Sequence, residues 1–404
     1  MKRQPLDAVL AELERQHLRR RRSTLEEFVE PGNRLITRCA GRTLVDFSSN
    51  DYLGLAHHPA IAAQMSASAA RTGAGSGASH LVTGHAAEHE RLEEELAAFT
   101  GRERALLFST GYMANLGVVT ALAGRGETVL LDRLSHASLL DAARLSGARF
   151  RRYAHADAAA AGRLIDERTA VVASDGVFSM DGDIAPVQQL ADLCQKSRAW
   201  LVIDDAHGLG VLGESGRGCS ERLGAEAVPV LVGTLGKAFG SFGAFVAGSR
   251  DLIELLIQKS RSYIYTTALP QPVAAATRKA LEIASRESWR RERVLALTAR
   301  FRAAARQLGL PLLDSTTPIQ PIVLGSSERV LDIQEALFAR GFRVVAIRAP
   351  TVPRGSERLR VTLSAAHTED QVDALIESLD RALRQLPAQP AQPATGSLAH
   401  ATPE

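Results

Sequence analysis

From about residue 60 onward, the chain alternates between two hydrophobic periods. Apolar residues spaced three and four apart predict helices over 60–71, 86–99, 112–123, 136–146, 157–166, 186–196 and 249–258. Short strand-like runs between them, mostly apolar apart from the arginine-rich 149–153, predict strands over 104–109, 127–132, 149–153, 169–174, 199–204, 229–234 and 243–247. Strands that lack polar alternation are buried on both faces, as in a parallel sheet covered by helices. The expected fold class is therefore α/β: a large domain whose mostly parallel seven-stranded sheet is flanked by helices. In such sheets ligands gather beyond the carboxyl ends of the strands, so the residues just after each strand are the first to inspect.

The flanks read differently. Residues 5–22 predict an amphipathic helix ending in the run Arg19–Arg22, which is either a solvated basic face or an anion-binding arm. Residues 33–47 predict a hairpin turning at Ala40-Gly41. A helical stretch rich in arginine and alanine, 270–308, leads to strands near 319–324, 342–348 and 357–363 and helices over 328–340 and 368–385. The last of these opens with Thr368-Glu369-Asp370-Gln371, a capping box. The expected plan is an N-terminal helix and small hairpin (1–50), a large domain (51–285), a smaller α/β C-terminal domain (286–386) and a disordered tail (387–404) rich in Pro, Ala and Gln.

Composition narrows the function more than the fold. With 404 residues, 45% hydrophobic and 23% charged, the chain is globular rather than disordered or fibrous. No apolar run approaches the roughly 18 residues of a membrane span. The first thirty residues carry charges of both signs and no apolar signal core, so the expected location is the cytoplasm. A net charge of +3 gives no reason to expect a nucleic-acid partner. Cys39, Cys194 and Cys219 form no CxxC pair and no HExxH occurs, so neither a disulfide framework nor a metal is expected. There are five lysines beside forty-three arginines, which leaves few candidates for an essential amine.

Two glycine-rich segments invite a ligand. Gly73-Ala74-Gly75-Ser76-Gly77-Ala78 has the spacing of a dinucleotide fingerprint but follows a helical run instead of a strand, so it reads as a loop. The second segment carries more. One strand delivers Asp204-Asp205-Ala206-His207-Gly208 to its carboxyl end, and the next delivers Thr234-Leu235-Gly236-Lys237. Pyridoxal phosphate needs a lysine for its Schiff base and a carboxylate to keep the pyridine nitrogen protonated, which Lys237 and Asp204 can supply. Partial burial among Gly236, Gly240 and Gly243 would lower the pKa of the amine. Gly111, at a strand-to-helix junction, suits the cofactor phosphate, with the Thr234 hydroxyl as a further donor. His136, after another strand, is placed to stack on the ring.

The runs SSNDYLGL (48–55), DRLSHASLLDAARLS (132–146), GVFSMDGDIAP (176–186), DDAHGLGVLGESGRG (204–218) and GTLGKAFG (233–240) resemble the motifs of the α-oxoamine synthases. These are fold-type I pyridoxal-phosphate-dependent transferases that condense an amino acid with an acyl thioester. DDAHGLG with AIRAPTVP (346–353) most resembles the members that join L-alanine to a pimeloyl thioester, with a sister synthase using glycine or serine as the alternative and a non-catalytic binding protein as the remote one. The resemblance implies that Lys237 bonds the cofactor and moves the substrate proton, Asp204 pairs with the pyridine nitrogen, and His136 stacks on the ring and meets substrate. Ser179 and His207 would lie near the phenolic oxygen, and Gly111, Tyr112 and Thr234 around the phosphate and ring. Arg19, Asn50, Thr351 and Arg360 would contact substrate, Arg360 as the clamp on the amino-acid carboxylate. It also implies a homodimer with shared active sites, in which Thr266 or Thr267 reaches the neighbour's phosphate.

Overall fold

The computed structural model describes residues 5–30 and 33–386, so the expected tail over 387–404 lies outside the described residues. All seven strands expected after residue 60 form one sheet. Their order is Arg104–Phe108, Ala244–Gly248, Val230–Thr234, Trp200–Asp204, Thr169–Asp175, Thr128–Asp132, Arg149–Tyr153. Ala244–Gly248 runs antiparallel to both neighbours and the remaining pairs are parallel. The edge strand Arg149–Tyr153 keeps Arg149 and Arg152 exposed, but the other six bury both faces: Leu107, Leu231 and Phe245 enter one apolar cluster, while Leu106, Val232 and Val246 enter another on the opposite face. This explains their unbroken apolar runs, because alternation is useful only where one face meets water.

The seven expected helices form within two or three residues of their expected bounds, from Pro59–Thr72 to Arg250–Lys259. Side chains reinforce several starts, as where Thr110 accepts from Met113 N–H and Ser249 from Leu252 N–H. The Thr368 capping box forms as expected at the head of Glu369–Gln385. The helical stretch over 270–308 is two helices, Gln271–Arg286 and Trp289–Gln307, with Glu287 and Ser288 between them.

Two expectations need correction. The first helix spans only Leu6–Arg15; the chain turns at His17, whose φ is 54°, so the Arg19–Arg22 run lies outside the helix. Four adjacent cations gain nothing from being wound into one turn, where they would face each other. The expected strand over 342–348 is two strands in different sheets: Phe342–Arg343 pairs in parallel with Arg42–Asp46, whereas Val345–Ile347 pairs with Arg358–Thr362. A pairing partner from residues 42–46 cannot be inferred from local pattern. Three short elements carried too few residues to show a period: His80–Gly84, Gly224–Ala227 and Arg261–Ile264.

The hairpin of Asn33–Cys39 and Arg42–Asp46 forms as expected, with positive φ at both Ala40 and Gly41, and Glu27–Glu30 extends it. Ile319–Val323, Arg358–Thr362 and Val345–Ile347 make an antiparallel sheet of their own. Phe47 N–H and C=O bond to Arg343 C=O and Thr362 N–H, so the segment that begins at Ser48 is anchored to strands from the far end of the chain.

Phe245 is fully buried in the antiparallel strand, and a Cβ on Gly233 would come within 2.5 Å of its ring, so the two positions interlock. Phe245→Ala is expected to cost about 3–5 kcal/mol, read from urea unfolding.

Candidate active site

Parallel pairing brings strand ends together. Asp175 and Asp204 are register partners at the carboxyl ends of neighbouring strands, and Asp132 ends the strand beyond. Burial and the charge of Asp204 push the Asp175 carboxyl well above the usual carboxylate range. Asp175 accepts the backbone N–H of His136 at 2.8 Å, and Asp204 accepts the backbone N–H of Ala206 at 3.1 Å.

Lys237 sits three residues past the Val230–Thr234 strand in a tight turn closed by Gly240 N–H on the Lys237 carbonyl at 2.8 Å. Gly240 has φ +60°, and a Cβ there would strike the backbone of Leu55 and Ala56, so the turn packs directly on the SSNDYLGL loop. Burial lowers the Lys237 amine to about 8, against the opposing pull of Asp204 and Asp175. An appreciable fraction is therefore unprotonated near neutral pH, as a nucleophilic or base amine requires.

A chain of buried side chains connects the Asp204 carboxylate to His136. Asn115 donates to Asp204 Oδ2 at 2.6 Å and to Ser138 Oγ at 2.8 Å, and Ser138 Oγ meets His136 Nδ1 at 2.7 Å. His136 is also the N-cap of the Ala137–Ser146 helix, accepting from Ser138 N–H at 3.3 Å, while its ring stays exposed towards the open side. Asn115 and Ser138 were not singled out in the sequence; their signal was present within the FSTGYMAN and LSHAS runs, but nothing local says that they meet.

On the opposite side, the His207 ring and the Tyr52 hydroxyl share a hydrogen bond of 2.6 Å. Burial, followed by the charges of Lys237 and Arg360, holds His207 well below its ordinary pKa, and burial raises Tyr52 to about 12. Arg360 donates from Nε to the Ser179 carbonyl at 2.6 Å and from Nη1 to Asn50 Oδ1 at 3.0 Å and Thr362 Oγ1 at 3.1 Å. The guanidinium is thereby fixed in plane by three different segments. The Ser179 loop has its own clamp: His155 bonds Asp132 at 3.0 Å and Asp183 at 2.8 Å. Burial disfavours the His155 cation, but the two carboxylates outweigh it and lift its pKa to about 10.

Gly111 opens the Gly111–Leu122 helix, and a Cβ on it would come within 2.8 Å of Thr234 Cγ2. Only glycine lets these strand ends approach while the first-turn N–H groups remain directed outwards. Thr234 Oγ1 donates to Ala206 C=O at 3.4 Å, and the exposed Tyr112 bonds Asp141.

The structure therefore gathers Asn50, Ser179, His207 and Arg360 round Lys237, Asp204 and His136, with Gly111 beside Thr234. Four expected residues stand apart. Arg19 pairs with Glu14 at 3.2 Å, and it is Arg20 that reaches Thr351 Oγ1, at 3.2 Å. Thr266 donates to Ser262 C=O, and Thr267 bridges to Ser79 of the Gly-rich loop.

Comparison with known proteins gives these residues a context. The family model described as aminotransferase class I and II matches residues 42–379. The chain belongs to this family. It is 58% identical over 381 residues to an 8-amino-7-oxononanoate synthase of Cellvibrio japonicus, covering 93% of this chain and 95% of that protein. It is 60% identical over 352 residues to one of Thioalkalivibrio sulfidiphilus, covering 85% and 89%. Among solved structures, a serine palmitoyltransferase from S. paucimobilis with a bound PLP–myriocin aldimine overlays with TM-score 0.88 at 28% identity, covering 94% of this chain and 97% of that one. An 8-amino-7-oxononanoate synthase from Francisella tularensis overlays with TM-score 0.75 at 30% identity, covering 85% and 98%. The chain is thus a fold-type I α-oxoamine synthase, as its motifs implied, and its cofactor is pyridoxal phosphate.

The residues present fit that cofactor. A buried amine of lowered pKa, a carboxylate fixed by two N–H donors and a glycine-lined helix start are the three groups it demands.

Two outcomes follow for the site. Asn115→Leu, which leaves Asp204 and Ser138 without their shared donor, is expected to cost about 1–3 kcal/mol in urea unfolding and to weaken cofactor retention on dialysis. For Lys237 the folded pKa, about 8, lies below the usual 10.5, so the unfolded chain binds the extra proton and stability rises with pH between those values. Lys237→Met should therefore stabilise the cofactor-free protein by up to about 3 kcal/mol at pH 7, a gain that fades by pH 10.5.

Proposed function

We infer that this protein condenses L-alanine with a pimeloyl thioester, releasing carbon dioxide and the carrier thiol and yielding 8-amino-7-oxononanoate, a step of biotin synthesis. The observation that carries the reading is the Lys237–Asp204–Arg360 arrangement in a chain 58–60% identical to synthases of that name.

Bound pyridoxal phosphate supplies an electron sink for the amino-acid Cα. Lys237 anchors it and, with an amine pKa of about 8, takes the Cα proton and later returns one. Asp204 holds a proton at the pyridine nitrogen, and Asn115 orients that carboxylate. His136 packs on the ring and borders the substrate. Ser179 and His207 serve the phenolic oxygen; His207, neutral and bonded to Tyr52, is a hydrogen-bonding group rather than a cation. Gly111, Tyr112 and Thr234 hold the phosphate and the ring edge. Arg360, fixed by Asn50 and the Ser179 carbonyl, binds the alanine carboxylate. Arg19 and Thr351 contact substrate, on the side where Arg20 already meets Thr351.

The chain acts as a homodimer with Thr266 and Thr267 at the neighbour's phosphate. Exposed Leu81, Val82 and Tyr265, on and beside the same loop, support a partner there. Among the described residues no helix is long and apolar enough to cross a membrane, which is compatible with work in the cytoplasm.

Purified protein supplied with L-alanine and pimeloyl-CoA, or the pimeloyl-carrier-protein equivalent, should form 8-amino-7-oxononanoate, detected by mass spectrometry. Lys237→Ala should abolish it. Arg360→Lys should raise KM for L-alanine about tenfold or more, since a point charge replaces a planar fork. Turnover of glycine or serine in preference to alanine would assign the protein to a sister synthase instead.

A further inference from the structure

Away from the lysine cluster, three imidazoles converge where the Gly-rich loop enters the Ala87–Thr100 helix. The single π-turn His80–Gly84 folds His80 back over His85, and His89 rises from the first turn of the helix. The ring centroids are 5.1 Å apart for His80 and His85, 5.1 Å for His80 and His89, and 5.5 Å for His85 and His89. A tetrahedral ion with metal–nitrogen bonds of about 2.0–2.1 Å places its imidazole centroids roughly 5 Å apart. The ring centroids thus match the spacing of a ligated set, and one nitrogen of each lies within 4.8 Å of the others, so small side-chain rotations would bring the nitrogens onto one ion.

The outward nitrogens are held as those of metal-bound histidines are. His85 Nε2 bonds Glu90 at 3.0 Å, and His89 Nε2 bonds the Leu269 carbonyl at 2.5 Å. An oxygen at Nε2 keeps the proton there and leaves Nδ1 as the acceptor nitrogen, which in His85 meets His80 and in His89 accepts from Ala86 N–H. The His85 side chain keeps 27% exposure, which supplies a route of entry.

We propose that His80, His85 and His89 form a binding site for a zinc-class divalent cation, with three imidazole nitrogens as ligands and a fourth position open to solvent. Nitrogen-only donors favour zinc and its neighbours over magnesium or calcium, which require oxygen. Loading replaces two contacts: the 2.8 Å bond between His80 and His85 Nδ1 atoms, and the 3.0 Å bond from Ala86 N–H to His89 Nδ1. The proton between His80 and His85 moves to His80 Nε2, so the rings remain neutral and none is released. The spacing of the three histidines matches neither the cysteine-based nor the HExxH pattern, so the sequence announced no metal; the π-turn creates the convergence.

The ion would brace the loop facing the expected neighbour. Leu269 C=O, bonded to His89, also accepts from Ser76 Oγ at 2.7 Å, and Ala268 N–H bonds Ala78 C=O at 2.9 Å beside the Ser79–Thr267 bridge. Rigidity at His80–His89 therefore passes directly to Thr266 and Thr267. The inference stands on these contacts and not on which amino acid the enzyme uses.

The test is zinc chloride titration of the cofactor-loaded enzyme, previously stripped with EDTA, followed by calorimetry, together with His85→Gln and His80→Gln. The expected result is one zinc per chain, bound about tenfold or more weakly in each variant while the visible cofactor spectrum is unchanged, and a first shell of three imidazole nitrogens and a solvent oxygen by X-ray absorption. Substoichiometric binding, affinity unaffected by both substitutions, or sulfur in the first shell would overturn it.

Discussion

Two carboxylates, Asp175 and Asp204, stand side by side in register at the ends of adjacent parallel strands, and the buried site cannot hold both as free anions. The surrounding structure answers this constraint. Asp175, raised by burial and by its neighbour, takes the His136 N–H; Asn115 and the Ala206 N–H address Asp204. The lysine amine that faces the pair is lowered by burial yet held up by the two carboxylates, and it settles at about 8. One electrostatic conflict thus orders His136, Asp204 and the Lys237 amine together.

The substrate side depends on a different device, the joining of the chain's two ends. Phe47 is bonded to Arg343 and Thr362, and Arg360 reaches Asn50 just beyond it. The arginine is held by the loops that carry Asn50 and Ser179, so its guanidinium is fixed only when the N-terminal hairpin, the central sheet and the C-terminal sheet are all in place. The placement of Arg360 therefore depends on global folding more than that of Lys237, whose turn packs locally on residues 55 and 56.

Much of this was legible beforehand, for a physical reason. A strand buried on both faces must be apolar throughout, so the inner strands of the main sheet announced themselves, and cofactor chemistry at their carboxyl ends singled out Lys237, Asp204, His136 and Gly111 as candidates. The N-terminal arginines were harder: their helical pattern runs on to residue 22, but the helix stops at Arg15 and contacts with the C-terminal sheet take over, leaving Arg20 rather than Arg19 beside Thr351. Asn115, Ser138, Tyr52 and His155 escaped because each acts through a partner between 23 and 155 residues away.

By itself, the order of residues determined which segments are helices and strands, because periodicity is a local property, and which side chains have the chemistry for an amine-and-carboxylate cofactor site. Tertiary structure alone decided which strand pairs with which, that the run near 342–348 is divided between two sheets, and that His80, His85 and His89 converge. Pairing and convergence are set by burial and hydrogen bonding between distant segments, and the free energy of those contacts is not written in any stretch of chain short enough to read alone.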